Sequence, residues 1–322
     1  MRPVLLAPVW TILLLGYYHG LVYQQKKVPF FSFNLKEVLP VFFLWSIIVG
    51  GIYIINQIYD KENDKINKKL FLISEGHVSV PAAWCLTLFL YLGGIIGGFL
   101  ISREIFIIFI ISIIFSFIYS APPLSCKNRP FCGLFSNILG HGIIGFAVGW
   151  FIIPANDLTS IIPLLKIVIP YSMAIGITFL CTTLPDMDGD KKTGKITFSV
   201  KYGKRKTAHF IAFLFLIMMV STVIPIKIPL GTDVGFNDIP LLLYAEILAL
   251  PFFIKMVINP SDQNINWAVK IPVLSISVII ALFFWWYFLL LFIVCLFSRL
   301  YYKKRFGLNY PTIQIDALSQ NS

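Results

Sequence analysis

The segment VLPVFFLWSIIVGGIYII (38–55) carries no charge and runs directly into NQIYDKENDKINKK (56–69). The first part is close to the length of helix that crosses a bilayer core of about 30 Å. The second part places acids, lysines and asparagines at the mouth of that crossing. Asn56, Asp60 and Asp64 recur every four positions, so a helix continuing past residue 55 carries all three on one face. What they do there depends on whether a second such face exists, and on which side of the membrane it lies.

Composition sets the class. Of 322 residues, 58% are hydrophobic and 13% charged, whereas soluble domains run near 45–50% and about 25%. Apolar runs near 20 residues recur along the chain, and helices satisfy their own backbone in lipid. The expectation is an all-α membrane protein with nine spans at 3–23, 38–59, 79–100, 104–121, 133–153, 160–183, 207–229, 239–258 and 269–298. The whole chain, 1–322, reads as one domain with a basic C-terminal tail at 299–322. The first apolar run is too long for a cleaved leader and reads as the first span. Span 3 carries Gly93, Gly94, Gly97 and Gly98, which permit close helix approach. The net charge is +11. Its bases cluster in loops between spans, which points to lipid headgroups and anionic substrates rather than nucleic acid. Cys85, Cys126, Cys132, Cys181 and Cys295 read as packing residues, since no pair has zinc-type spacing. His19 reads as interfacial, and the aromatic FFWWYF (283–288) as a lipid or packing contact.

With nine spans, the N-terminus and the loops after spans 2, 4, 6 and 8 share one side. That side has the larger share of the 26 Lys and Arg, which places it in the cytoplasm of a plasma (inner) membrane. The tail residues Arg299, Lys303, Lys304 and Arg305 then fall on the opposite side, against the trend.

A second acidic face follows span 6, in LPDMDGDKKTGKITFSVKYG (184–203). Asp186 and Asp190 repeat the spacing of Asp60 and Asp64, offset by 126 residues in both cases. Four spans separate the two motifs, so both lie on one side, as does the polar YSAPPLSCKNRP (119–130) after span 4. DMDGDK is not a calcium loop, because Lys191 replaces the glycine and Thr197 the closing glutamate. Gathered carboxylates need a counter-charge. A hard divalent cation supplies it, and Mg2+ is usual when phosphates share the site. Lys127, Arg129, Lys191 and Lys192 are available to neutralise the remainder. The implied ligand has an anionic diphosphate head at the surface and a hydrocarbon body in the bundle.

These residues resemble the UbiA superfamily of intramembrane prenyltransferases. Asn56, Asp60 and Asp64 resemble its N-x-x-x-D-x-x-x-D motif. Tyr119, Ser120, Pro122, Pro123 and Lys127 resemble its Y-S-x-P-P-x-x-x-K segment. Asp186, Asp190, Lys191, Gly194, Thr197 and Gly203 resemble its second motif. The motifs occupy about residues 40–210, and the layout extends over all nine spans. The resemblance implies a bundle of about nine transmembrane helices around a central cavity. It implies that Asp60, Asp64, Asp186 and Asp190 are the catalytic, Mg2+-binding residues and that a prenyl diphosphate is held by the metal. The accompanying diphosphate contacts are Asn56, Lys68, Tyr119, Lys127, Arg129 and Lys191. Asn137, His141 and Asp188 are candidates for the acceptor pocket. Three departures bear on the acceptor. LFLISEG lacks the family's arginine, for which Lys68 or Lys69 substitutes; Thr183 replaces an acid ahead of the second motif; and Ser125 replaces a base in the middle segment.

The implied reaction is Mg2+-dependent transfer of a prenyl group to an aromatic or lipid acceptor, a hydrophobic partner in the membrane. The diphosphate ionises, an allylic cation forms between apolar walls, and the acceptor attacks. Asp64 or Asp188 is the candidate base. A terpene cyclase working without an acceptor is the alternative within this fold. A transporter or a lipid-binding protein is the alternative outside it. Transport sites usually lie near the membrane midplane, whereas these acids sit at span ends.

Overall fold

The computed structural model describes residues 3–26, 28, 35–66, 71–223 and 240–307. Among these described residues ten helices are long and apolar enough to cross a membrane, which makes this a multi-pass integral membrane protein. They are α1 (Ala7–Tyr23), α2 (Leu35–Tyr59), α3 (Val80–Ile101), α4 (Arg103–Ser120), α5 (Pro130–Trp150), α6 (Ile161–Thr183), α7 (Lys204–Val223), α8 (Pro240–Ile258), α9 (Asp262–Phe283) and α10 (Trp285–Phe306). No strand occurs among the described residues.

The first eight spans fall where the hydropathy places them, except that 224–229 of the seventh and 239 of the eighth lie outside the described residues. The ninth, expected at 269–298, is two helices. Ser261 caps α9 by accepting from the Asn264 N–H, so α9 starts ahead of the apolar run. The chain then breaks at Phe284 (φ −117°, ψ 73°). No Gly or Pro marks the break. Aromatic packing holds it instead: Phe283 lies 4.7 Å from Tyr18, Phe284 5.7 Å from Tyr17, and Trp286 5.5 Å from Phe42. The FFWWYF segment is thus largely an internal packing contact, with Phe284 and Tyr287 fully buried. The helix α10 ends at Gly307 in the left-handed conformation (φ 68°), with Lys303, Lys304 and Arg305 in its last turn. The Phe306 ring lies tilted, 5.4 Å from that of His77 in the loop between α2 and α3. The basic end of α10 therefore lies at the aspartate end of the bundle, not opposite as a nine-span count requires.

Helix contacts follow small residues. A Cβ on Gly16 of α1 would strike the Phe146 backbone oxygen of α5, and one on Gly149 of α5 the Leu13 oxygen of α1. These two helices pack backbone to backbone. In α3, Gly94 and Gly97 receive Ile48 and Leu44 of α2, and Gly98 receives Phe109 of α4, whereas Gly93 faces open space. His19 is not interfacial. It is buried and hydrogen-bonded to the Tyr171 hydroxyl of α6 at 2.7 Å. Cys126 and Cys132 are joined as a disulfide with Cα atoms 4.9 Å apart, beyond the packing role expected of them.

Candidate functional site

The helical hydrogen-bond pattern of α2 continues through its polar end. The Asp60 N–H donates to the Asn56 carbonyl at 2.9 Å and the Asp64 N–H to the Asp60 carbonyl at 2.7 Å. This keeps Asn56, Asp60 and Asp64 on one face as the chain passes into a short helix, Lys61–Ile66. The second motif repeats the device: Asp186 precedes a short helix, Met187–Lys192, and the Asp190 N–H donates to the Asp186 carbonyl at 2.9 Å. Asp60, Asp64 and Asp190 are buried, Asp186 is half-buried and Asp188 is exposed.

Three loops meet at this end. The Thr193 hydroxyl donates to Asn63 Oδ1 at 2.8 Å, tying the second motif to the first. The Ile196 N–H donates to the Asn128 carbonyl at 3.2 Å, tying it to the loop after α4. From that loop the buried Lys127 ammonium reaches Asp60 Oδ2 at 3.0 Å and the Asn56 carbonyl at 3.4 Å. Lys195 donates to the other Asp60 oxygen. Asp60 is thus clamped between two lysines from two different loops.

The electrostatics reflect burial opposed by pairing. Burial lowers the Lys127 pKa, and the Asp60 charge works against that shift. Burial raises the Asp190 pKa. The Lys195 charge opposes this, the Asp186 charge adds to it, and hydrogen bonds from Asn63 and Thr197 oppose it.

The other sequence candidates are dispersed. The Asn56 amide is 3.5 Å from Ser120 Oγ. The Tyr119 hydroxyl accepts from Asn137 Nδ2 at 3.3 Å and lies close enough to interact with the charges of Asp60 and Asp190. Arg129 is exposed and donates to the Pro123 carbonyl at 3.4 Å. Lys191 and Lys192 are exposed. Lys68 and Lys69 lie outside the described residues. Asn137 and His141 line a cavity below the aspartates together with Tyr119. Sequence reasoning missed Lys195. Besides Lys127 and Arg129, it placed the cations of the second motif at 191 and 192, beside the acids in sequence, but both of those are exposed. The loop after Gly194, at φ 73°, returns Lys195 to Asp60.

Among the described residues, no three acids, histidines or cysteines converge into a ready-made metal cage. Mg2+ does not need one. It is usually held by one or two carboxylates plus substrate phosphates and water. Facing loops that carry hard oxygen donors, with two ammonium groups standing as counter-charges on Asp60, fit that mode of binding.

The fold and this cluster describe an intramembrane bundle with two facing aspartate motifs at one end. The UbiA prenyltransferase family matches residues 13–270, and the chain belongs to that family. A curated relative is 2-acyl-4-prenylphloroglucinol 6-prenyltransferase of Humulus lupulus. It is 28% identical over 59% of this chain and 47% of its own length. Another is digeranylgeranylglyceryl phosphate synthase of Saccharolobus solfataricus, 27% identical over 70% of this chain and 76% of its own. The chain spans about half the length of the plant relative and three quarters of the archaeal one. Among solved structures, a UbiA homolog from Archaeoglobus fulgidus bound to DMAPP and Mg2+ superposes with a TM-score of 0.68 at 19% identity. The match covers 91% of this chain and 100% of that one.

Proposed function

We propose that this protein transfers a prenyl group from a prenyl diphosphate to a hydrophobic acceptor within the membrane, with Mg2+ as cofactor. The observation that carries the reading is the Asp60 clamp: a buried carboxylate, shared by Lys127 and Lys195, at the meeting point of both aspartate motifs. Asp60, Asp64, Asp186 and Asp190 would hold Mg2+ against the diphosphate. The bound cation would supply charge stabilisation to the departing diphosphate.

The chain's own residues provide the rest. Lys127 and Lys195 reach the site from two loops and are placed to shift from Asp60 to diphosphate oxygens once the carboxylate is otherwise engaged. Ammonium groups aimed where negative charge grows are the preorganised kind of stabilisation that accelerates ionisation. The Asn56 face of α2 and the Tyr119 hydroxyl border the path from this head site into the bundle. Below it, Trp45, Val49, Ile52 and Phe115 form a mostly apolar wall that excludes water from the allylic carbon. Arg129 and Lys191, both exposed, are assigned to the rim, where they draw in the anionic head. Asp188, also exposed, is left no acceptor contact in this reading. We place the aspartate end in the cytoplasm of a plasma (inner) membrane, on the positive-inside rule, and take the bundle as one catalytic unit.

The test is a product assay. The purified protein in lipid is supplied with farnesyl or geranylgeranyl diphosphate, Mg2+ and a membrane extract. A heavier prenylated species by mass spectrometry, dependent on Mg2+, is expected. A cyclised hydrocarbon as sole product would reassign the chain as a cyclase.

A further inference from the structure

The two aspartate motifs leave α2 and α6, helices far apart in the chain, so no short covalent link sets the distance between Asp60 and Asp190. Side chains must set it. One tie is the ion pair of Lys195 with Asp60. Another runs through Asn63, in the short helix Lys61–Ile66 that follows Asp60. Asn63 Oδ1 accepts from the Thr193 hydroxyl at 2.8 Å, and the Asn63 amide N–H group donates to the Asp190 carboxylate. A side-chain amide suits this place because it accepts and donates at once. It carries no charge, so it holds a carboxylate without standing in for a cation. The bond from the Ile196 N–H to the Asn128 carbonyl reaches the third loop, not the first motif.

The segment that meets Asn63 moves as one piece with Asp190. The Thr193 N–H donates to the Gly189 carbonyl at 3.1 Å, and the Lys195 N–H to the Asp190 carbonyl at 2.9 Å. These bonds fix the turn at Gly194 (φ 73°) onto the short helix Met187–Lys192 that carries Asp190. Thr193 and Lys195 flank that glycine and reach Asn63 and Asp60 respectively. The two ties lie side by side but differ in kind. In the transferase reading both members of the Lys195–Asp60 pair are engaged elsewhere during the reaction, the carboxylate by Mg2+ and the ammonium by the diphosphate. The Asn63 tie has no such competitor. A carboxylate has about four lone-pair sites, so Asp190 can accept from Asn63 and still face a cation.

We infer that Asn63 is a positioning residue, which holds the second aspartate pair in register with the first while Lys195 leaves Asp60 for the diphosphate. The inference rests on the transferase reading and adds to it a residue that touches neither substrate. Without Asn63, release of Lys195 frees the Gly194 turn from the first motif, and Asp190 shifts with that turn. The two carboxylate sets then lose the spacing that lets one metal–diphosphate complex span them. The cost falls on metal binding in the presence of the donor.

The experiment uses the full-length protein in lipid nanodiscs. Metal binding is read with Mn2+, a paramagnetic stand-in for Mg2+, from its free-ion resonance signal in the presence of geranylgeranyl S-thiolodiphosphate, an unreactive donor analogue. Diphosphate release from geranylgeranyl diphosphate is titrated with Mg2+ in parallel. Asn63→Leu should raise the Mn2+ dissociation constant and the Mg2+ half-saturation about 10- to 100-fold, the scale of a lost hydrogen bond to a charged group. Thr193→Val breaks the tie from the other side and should raise both about 3- to 10-fold, so the test stands if one variant fails to fold. Thr193→Ser keeps the hydroxyl and should bind Mn2+ like the unmutated protein. The double variant Asn63→Leu with Thr193→Val should be no worse than Asn63→Leu alone, because the two residues share one tie. A residue that only supported the fold would lower the thermal midpoint and leave Mn2+ binding by the folded protein unchanged. Unaltered Mn2+ binding in either folded single variant, Thr193→Ser as weak as Thr193→Val, or additive losses in the double variant would overturn the inference alone. No Mg2+-dependent diphosphate release by the unmutated protein would remove the transferase reading and this inference with it.

Discussion

Asp60 holds two lysines and stands at the junction of three loops. Its replacement by Asn should remove turnover while the helices remain folded, and Asp186→Asn should do the same. Near-normal product from either variant, with an unchanged circular-dichroism spectrum, would count against a metal role. Lys195→Met should slow diphosphate release about 10²- to 10³-fold, the scale of losing one preorganised charge donor. Asp190 behaves differently in stability. Its carboxyl is raised by burial, with Lys195, Asn63 and Thr197 opposing. A raised folded-state value means that the ligand-free fold gains from this group at low pH and loses the gain as pH rises through the carboxylate range. Asp190→Asn should therefore flatten the fall in thermal midpoint between acidic and neutral pH, measured without Mg2+, while abolishing activity. At this scale the sequence was readable where spacing encodes geometry. Four-residue spacing put each aspartate pair on one helical face, and an even number of intervening spans put both at one end. Lys195 was not readable, because its approach to Asp60 depends on a left-handed glycine turn that spacing does not report.

The elements show where hydropathy is a sufficient guide and where it is not. Eight spans could be read as apolar runs bounded by polar loops. The pair α9 and α10 could not, because their junction at Phe284 lies inside one unbroken apolar run and is fixed by ring packing with α1 and α2. The π-helical segment of α5, Ile138–Ile144, was equally hidden, since Gly140 and Gly142 around His141 signal only small size. The glycines of α3 were legible as contact residues, and three of the four serve as such. The tightest glycine contact among the described residues, between Gly149 of α5 and Leu13 of α1, makes a sharp prediction. Gly149→Val should cost about 1–3 kcal/mol or more through overpacking, read as a lowered thermal midpoint in detergent. Gly93→Ala, facing open space, should leave the midpoint unchanged.

At the level of the whole molecule, the ten membrane-length helices among the described residues bring the end of α10 back to the aspartate end. The contact between Phe306 and His77 makes this specific. A cysteine-reactive, membrane-impermeant label should reach Glu62→Cys and Arg305→Cys from the same side of sealed vesicles. Labelling from opposite sides would restore the nine-span topology. The same arrangement brings Arg299, Lys303, Lys304 and Arg305 to the more basic end, which removes the one exception to the positive-inside pattern. Family membership and the fold follow from the match over residues 13–270 and from the bundle. The joint Mg2+ and diphosphate site at Asp60 is the central claim. Its most direct test is a Mg2+ titration of diphosphate release from geranylgeranyl diphosphate, run in parallel on the unmutated protein and Asp60→Asn in nanodiscs. Saturable Mg2+-dependent release by the first and none by the second is the predicted result. Release that ignores Mg2+, or that survives in Asp60→Asn, would contradict it.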